Sequence, residues 1–182
     1  MIPAYNNNHV LPPYIGDANS PHSYSPYPCD IMEFCQHFAI NPERIEILKG
    51  LVQFRLDCLK NGIVGRQWID GDFVEDIEAS EDRKPEKMVV TTLMEIHTQE
   101  EANLIKENFP EFIDPRLSIP KYKVDHYVFV TNQSPDEIIT WSKFWNLLYG
   151  HNRRGVWKGM LEVPLTNNND NDQIALSYLN SL

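Results

Sequence analysis

The chain lacks several things that would have settled its class quickly. It has three cysteines in 182 residues, Cys29, Cys35 and Cys58. An odd, scattered set with no Cys-x-x-Cys excludes a disulfide framework and a structural zinc site, and reduced thiols follow. There is no glycine-rich phosphate loop and no Gly-x-Ser-x-Gly nucleophile turn. His9, His22, His37, His97, His126 and His151 show no zinc-like spacing, so none is assigned to a metal. No apolar run approaches the roughly 20 residues that span a bilayer. The first residues offer neither a basic nor an apolar leader segment, so a cytoplasmic protein is expected. Basic residues are also scarce, 16 against 26 acids, for a net charge of -10. That balance disfavours direct binding to nucleic acid backbones and to anionic membranes; a protein partner, preferably basic, fits better.

What remains is an ordinary globular composition in a chain long enough for one domain. Residues 1–40 are rich in proline, tyrosine and asparagine. Pro12, Pro13, Pro21, Pro26 and Pro28 preclude a long helix or a central strand there. Yet Tyr5, Val10, Leu11, Tyr27, Ile31, Phe34 and Phe38 are too apolar for a free tail. The segment reads as an extended arm packed on the domain or on a partner, with a short helix near 30–38. Residues 41–182 form the domain itself.

Asn41-Pro42-Glu43 opens a helix that carries Ile45, Leu48, Val52, Leu56 and Leu59 and ends at Asn61-Gly62. A short strand through Trp68 enters a tight turn at Gly71. An acidic loop from Glu75 to Glu86 leads to a β-rich run, Met88 to Met94. A helix is expected from Gln99 to Asn108, and a strand from Lys123 to Thr131 with Val124, His126, Val128 and Val130 on one face. Ser134 caps a helix presenting Ile138, Trp141, Phe144, Trp145 and Leu148. A last strand spans Trp157 to Leu165. An asparagine-rich turn at 167–170 then starts a terminal helix through Ile174, Leu176, Tyr178 and Leu179.

This order, with Trp68-Ile69-Asp70-Gly71-Asp72-Phe73 as first strand and turn, resembles the start of the nucleotidyltransferase fold. The likeness extends to Ile2 through Asn8, Leu11-Pro12-Pro13-Tyr14-Ile15-Gly16, Ser25-Pro26-Tyr27, Pro42-Glu43-Arg44, Gln67 through Glu78, His151-Asn152-Arg153-Arg154 and Trp157 through Leu161. Together these blocks are similar to an uncharacterised bacterial family of nucleotidyltransferase-like proteins over nearly the full chain. The resemblance implies an α/β (α+β) fold, a mixed sheet flanked by helices. It also implies a Gly-Ser pair against a triphosphate, two aspartates at alternate strand positions on magnesium, and a third carboxylate on a later strand.

This chain departs from that pattern at the diagnostic positions. Asp72 stands in the place of the serine, and Lys87 and Val89 stand in the places of the two metal aspartates. A lysine repels a divalent cation, by about 4 kcal/mol per unit charge at about 4 Å and an effective dielectric near 20. Valine supplies no ligand. Asp125 falls where the third carboxylate belongs, and Lys87 is expected to pair with Asp125, Asp70 or Asp72. The resemblance therefore implies a degenerate site at Gly71, Asp72, Lys87, Val89 and Asp125, with no cofactor. The alternative is a working enzyme that uses magnesium and a nucleoside triphosphate through Asp70, Asp72 and Asp125; the acidic loop reads either as a source of substitute ligands, Asp70, Asp72 or Asp76, or as a solvated charged loop. A second candidate region, His151, Arg153, Arg154, Trp157 and Lys158, reads either as an anion- or partner-binding patch or as a basic turn over core tryptophans. The leading expectation is a non-catalytic binding or regulatory subunit of a bacterial partner protein, in a toxin–antitoxin or anti-phage defence operon by analogy. An active nucleotidyltransferase modifying protein or RNA is the alternative, and a dimeric scaffold is a third possibility.

Overall fold

A computed structural model describes residues 1–167 and 170–182. Asn168 and Asn169, in the expected asparagine-rich turn, lie outside the described residues. The elements run β1 (Tyr27–Pro28), α1 (Ile31–Phe38), α2 (Pro42–Lys60), β2 (Gly65–Asp70), α3 (Ile77–Glu81), β3 (Met88–Met94), α4 (Gln99–Asn108), α5 (Pro115–Tyr122), β4 (Val124–Val130), α6 (Pro135–Tyr149), β5 (Leu161–Leu165) and α7 (Asn171–Asn180). The strands form one mixed sheet in the order β1-β5-β2-β3-β4. β2 is antiparallel to β3 and to β5, whereas β3–β4 and β1–β5 are parallel.

Caps fix the helix starts as the sequence suggests. The Asn41 side chain accepts the Arg44 amide at 3.0 Å, Asp30 accepts that of Glu33, and Thr98 that of Glu101. At Ser134 a reciprocal pair with Glu137 closes the first turn of α6.

The two faces of the sheet are covered very unequally. Ile69, Met88, Val90, Val124, Leu161 and Val163 meet α1, α2, α5 and α7 in the main core. The other face carries only a small cluster, Leu93, Phe129, Trp145, Tyr149 and Met160, beneath α6. One side is closed and the other is half open. The open side holds the site.

The arm belongs to the main core. Ile2, Leu11, Tyr27, Cys29 and Phe34 are buried there, and β1 adds an edge strand beside β5. A two-residue edge strand is compatible with proline because Pro28 need not donate to a neighbour.

A chain of buried polar groups crosses the main core from α7 to β4. Arg55 Nε contacts Asp172 Oδ1 at 2.5 Å and Arg55 Nη1 donates to Gln67 Oε1 at 2.8 Å. Gln67 Nε2 reaches Thr92 Oγ1 at 3.1 Å, Thr92 Oγ1 lies 2.7 Å from His126 Nε2, and His126 Nδ1 lies 2.5 Å from the Phe112 carbonyl. Each member satisfies the next, which is the condition for tolerating polarity in a core.

Several elements differ from expectation. The acidic loop contains α3, because Glu78 is drawn onto Arg44 and Asn41. α5 carries Pro120 inside it, a residue that argues against a helix in the sequence. β5 starts at Leu161, not Trp157, because the amides of Lys158 and Gly159 bond to the carbonyls of Gly150 and Leu11. α6 turns Trp145 and Tyr149 inward and leaves Trp141, Phe144 and Leu148 exposed. On α7 the buried residues are Asp172, Ala175 and Leu179, while Ile174 is exposed, because Asp172 is drawn in by Arg55.

Candidate functional site

Register places the site. Asp70 on β2 stands opposite Val89 on β3, and Val89 opposite Asp125 on β4. Cross-strand partners share a face, so the three form a row on the open side. Lys87, two residues before Val89, points the same way. At the end of β2 the chain turns through Gly71 at φ 86°, where a Cβ would stand 2.9 Å from Val89 Cγ2. Glycine is needed there both for the positive φ and for the close approach.

Together these elements line a cleft of about 500 Å³. Gly71, Asp72, Lys87, Val89 and Asp125 all lie on its wall, beside Asp70, Glu75, Arg83, Tyr127 and Tyr149. The wall from Phe73 to Glu78 is held by the buried Arg44. Its guanidinium donates to the Phe73 and Glu75 carbonyls and to both Glu78 oxygens, and stacks 4.9 Å over the Phe73 ring. Burial works to raise the Glu78 carboxyl, but the Arg44 and Asn41 hydrogen bonds prevail and hold it at about 2.

Inside the cleft the carboxylates other than Glu86 are paired with cations. Lys87 Nζ bonds Asp125 Oδ2. Arg83 bridges Asp72 at 2.7 Å and Glu81 at 2.7 Å. Lys158 is buried and sits between Asp70 at 3.0 Å and Glu75 at 2.8 Å, also donating to the Gly71 carbonyl at 2.9 Å. Although Asp70 Oδ1 lies within salt-bridge distance of Lys158, it lacks a well-directed hydrogen bond among the described residues. Burial pushes the Asp70 carboxyl up to about 6, against the pull of Lys158. Desolvation opposes the Lys158 charge, and the two carboxylates overcome it, raising its pKa.

This donor set does not fit a pair of divalent cations. A metal entering at Asp125 meets the Lys87 ammonium, and beside it Val89 has no ligand atom. Among the described residues no group of three or more His, Cys, Asp or Glu side chains is arranged to hold a metal. Asp76, weighed above as a substitute ligand, turns toward the arm and contacts His9 Nδ1 at 3.1 Å.

The His151–Lys158 region straddles two concavities that share His151 and Lys158. His151, Arg153 and Lys158 line the cleft, but the Lys158 charge is spent on Asp70 and Glu75 and is not presented to an incoming anion. Arg154 lies 4.0 Å from Glu81. Trp157 is exposed, edge-on to His151, and with His151 and Lys158 lines a groove behind α6. Sequence reasoning missed the buried role of Lys158 and the Arg83 bridge. The available signal was a single lysine inside the run Val156-Trp157-Lys158-Gly159-Met160, where a charge needs a buried partner.

A family model described as "Family of unknown function (DUF6932)" matches residues 3–164. The chain belongs to this family. The match takes in β1 to β5 apart from the last residue of β5, and every residue of the cleft. No curated protein and no solved structure matches the chain significantly. The family's description names no activity, and membership by itself leaves the chemistry of the cleft to be read from its residues.

Proposed function

We propose that this chain is a nucleotidyltransferase-like protein without catalysis, working as a binding or regulatory subunit of a bacterial partner protein. The observation that carries the reading is the Lys87–Asp125 pair: an ammonium stands where the resemblance calls for a metal, next to a valine where it calls for a second carboxylate. Asp72, in the serine position, is held by Arg83 and offers no hydroxyl to a triphosphate. A frame kept around a cleft whose carboxylates are mostly tied to cations supports retention for contact and not for turnover. The toxin–antitoxin or anti-phage setting rests on the family resemblance and is tested by whether the product of the neighbouring gene co-purifies.

Calorimetry with manganese or magnesium and ATP, alongside labelled nucleotide transfer, tests the catalytic half. The expected result is neither metal-dependent binding nor transfer for this chain. A Lys87→Asp/Val89→Asp variant, which rebuilds the carboxylate row beside Asp125, is expected to acquire manganese binding. Metal-dependent transfer by the unmodified chain that disappears in Asp125→Ala would overturn the proposal and favour the alternative, an enzyme using Asp70, Asp72 and Asp125.

A further inference from the structure

The outer face of α6 is the least accounted-for surface of the molecule. Ile138, Trp145 and Tyr149 turn toward the sheet, Phe144 and Leu147 face away from it, and Trp141 and Leu148 are exposed on the flank between, Leu148 at the edge of the cleft. Leu147 is 69% exposed, Trp141 45% and Phe144 49%. Behind the helix a groove of about 950 Å³ runs between Phe144 and Leu147 on one side and Tyr24, Pro13 and Trp157 on the other, with Trp157 65% exposed. These side chains expose on the order of 600 Å² of largely apolar surface, at the upper end of what a monomer leaves open.

We infer that this face pairs with the same face of a second copy, α6 packing antiparallel against α6 across a two-fold axis, each helix seated in the other's groove. Three observations select this occupant. Charge is segregated along the helix: Asp136 and Glu137 lie in its first turn, and from Ile138 to Leu161 the sequence has no acid, while Lys143, His151 and Arg153 follow. Antiparallel pairing sets the acidic start of one helix against His151 and Arg153, just past the end of the other, twice, and also opposes the helix dipoles. Asp136 and Arg153, the latter at the cleft rim, take part in no ion pair among the described residues. The area is right as well. Specific interfaces start at about 1,200 Å² in total, which two copies of a face of roughly 600 Å² just reach. A helix of 15 residues, about 22 Å long, is sufficient to span it. The dimer would also bring the acidic first turn of the second copy to the His151–Arg153 rim of the cleft.

Sedimentation equilibrium on the full chain at micromolar concentration tests this, the expected mass being twice 21.2 kDa. A Phe144→Asp/Leu147→Glu variant should weaken dimerisation by at least about tenfold. Trp157→Ser, in a loop, is a second disrupting change should the helix variant fail to fold by circular dichroism. Ile113→Glu, on an exposed apolar residue elsewhere, should leave the mass unchanged. Asp136→Lys should weaken the dimer several-fold, and adding Lys143→Glu and Arg153→Glu should restore it. A mass of 21.2 kDa at every concentration, or a dimer unmoved by both Phe144→Asp/Leu147→Glu and Trp157→Ser, would overturn the inference, including where a different protein is found to occupy the face.

Discussion

At the residue scale, Lys158 shows how one buried side chain can hold a site together. It neutralises Asp70 and Glu75 and holds the Gly71 carbonyl, so the turn, the strand end and the following loop are fixed from a single point. Replacing it by methionine leaves two buried carboxylates without a countercharge. We expect Lys158→Met to cost about 3–5 kcal/mol in urea denaturation. Adding Asp70→Asn and Glu75→Gln should recover a large part of that loss, because the penalty comes from the orphaned charges. Gly71→Ala should cost about 1–3 kcal/mol through its positive φ and its contact with Val89. Much of the cleft was legible at this scale. Lys87 and Val89 could be placed on one wall because alternate residues of a strand share a face, and Asp125, on another strand, was placed there by the family resemblance. Lys158 and Arg83 could not, since their partners lie 83 to 88 and 2 to 11 positions away along loops whose paths the sequence does not disclose.

At the element scale, local signals worked where they were strong and unopposed. β3 and α4 have the bounds their patterns predict, Met88–Met94 and Gln99–Asn108. The α5 pattern was masked by Pro115 and Pro120, yet the helix persists, tied at its end by Ser118 Oγ donating to the Val124 carbonyl and by Tyr122 on Asp57. The α6 stripe was misjudged because a helix with apolar residues nearly all round does not say which side meets the protein. Caps give a direct test. Asn41→Ala is expected to cost about 1–2 kcal/mol, since Asn41 both caps α2 and holds Glu78 at 2.9 Å. In Ser134→Ala the loss is confined to the α6 cap and should be about 1 kcal/mol. Thermal unfolding of the two variants and of an Asn41→Ala/Glu78→Gln double variant separates capping from the Glu78 contact.

For the whole molecule, acid stability is set by buried groups moving in opposite directions. Burial lowers the His126 imidazole from 6.5 to about 3, with its bond to the Phe112 carbonyl pulling the other way. The unfolded chain therefore takes up that proton first, and stability falls as pH drops from about 6.5 toward 3. Asp70 does the reverse. Its folded pKa near 6 lies above the ordinary 3.8, so the folded state holds the extra proton and stability falls as pH rises from about 4 to 6. Glu78, held at about 2, adds a loss as pH falls below about 4.5. Denaturation measured from pH 4 to 6 should accordingly be shallow in the natural chain, and Asp70→Asn should steepen it by removing the opposing slope. A curve that Asp70→Asn leaves unchanged would show that Asp70 does not titrate as described.

The polar chain through the core has a polarity of its own. Arg55 can only donate, so Gln67 must turn its oxygen toward Arg55 and its amide nitrogen toward Thr92. The Thr92 hydroxyl, receiving that proton, gives its own to His126 Nε2, which leaves the ring proton on Nδ1, aimed at Phe112. The guanidinium on α2 thus dictates the tautomer of a histidine on β4 through two intervening side chains, as the first domino fixes which way the last one falls. Gln67→Glu would remove the amide proton from the relay and free the Thr92 hydroxyl to turn. The imidazole nitrogen shifts of His126, read by nuclear magnetic resonance, would report that change from two residues away along the chain of bonds.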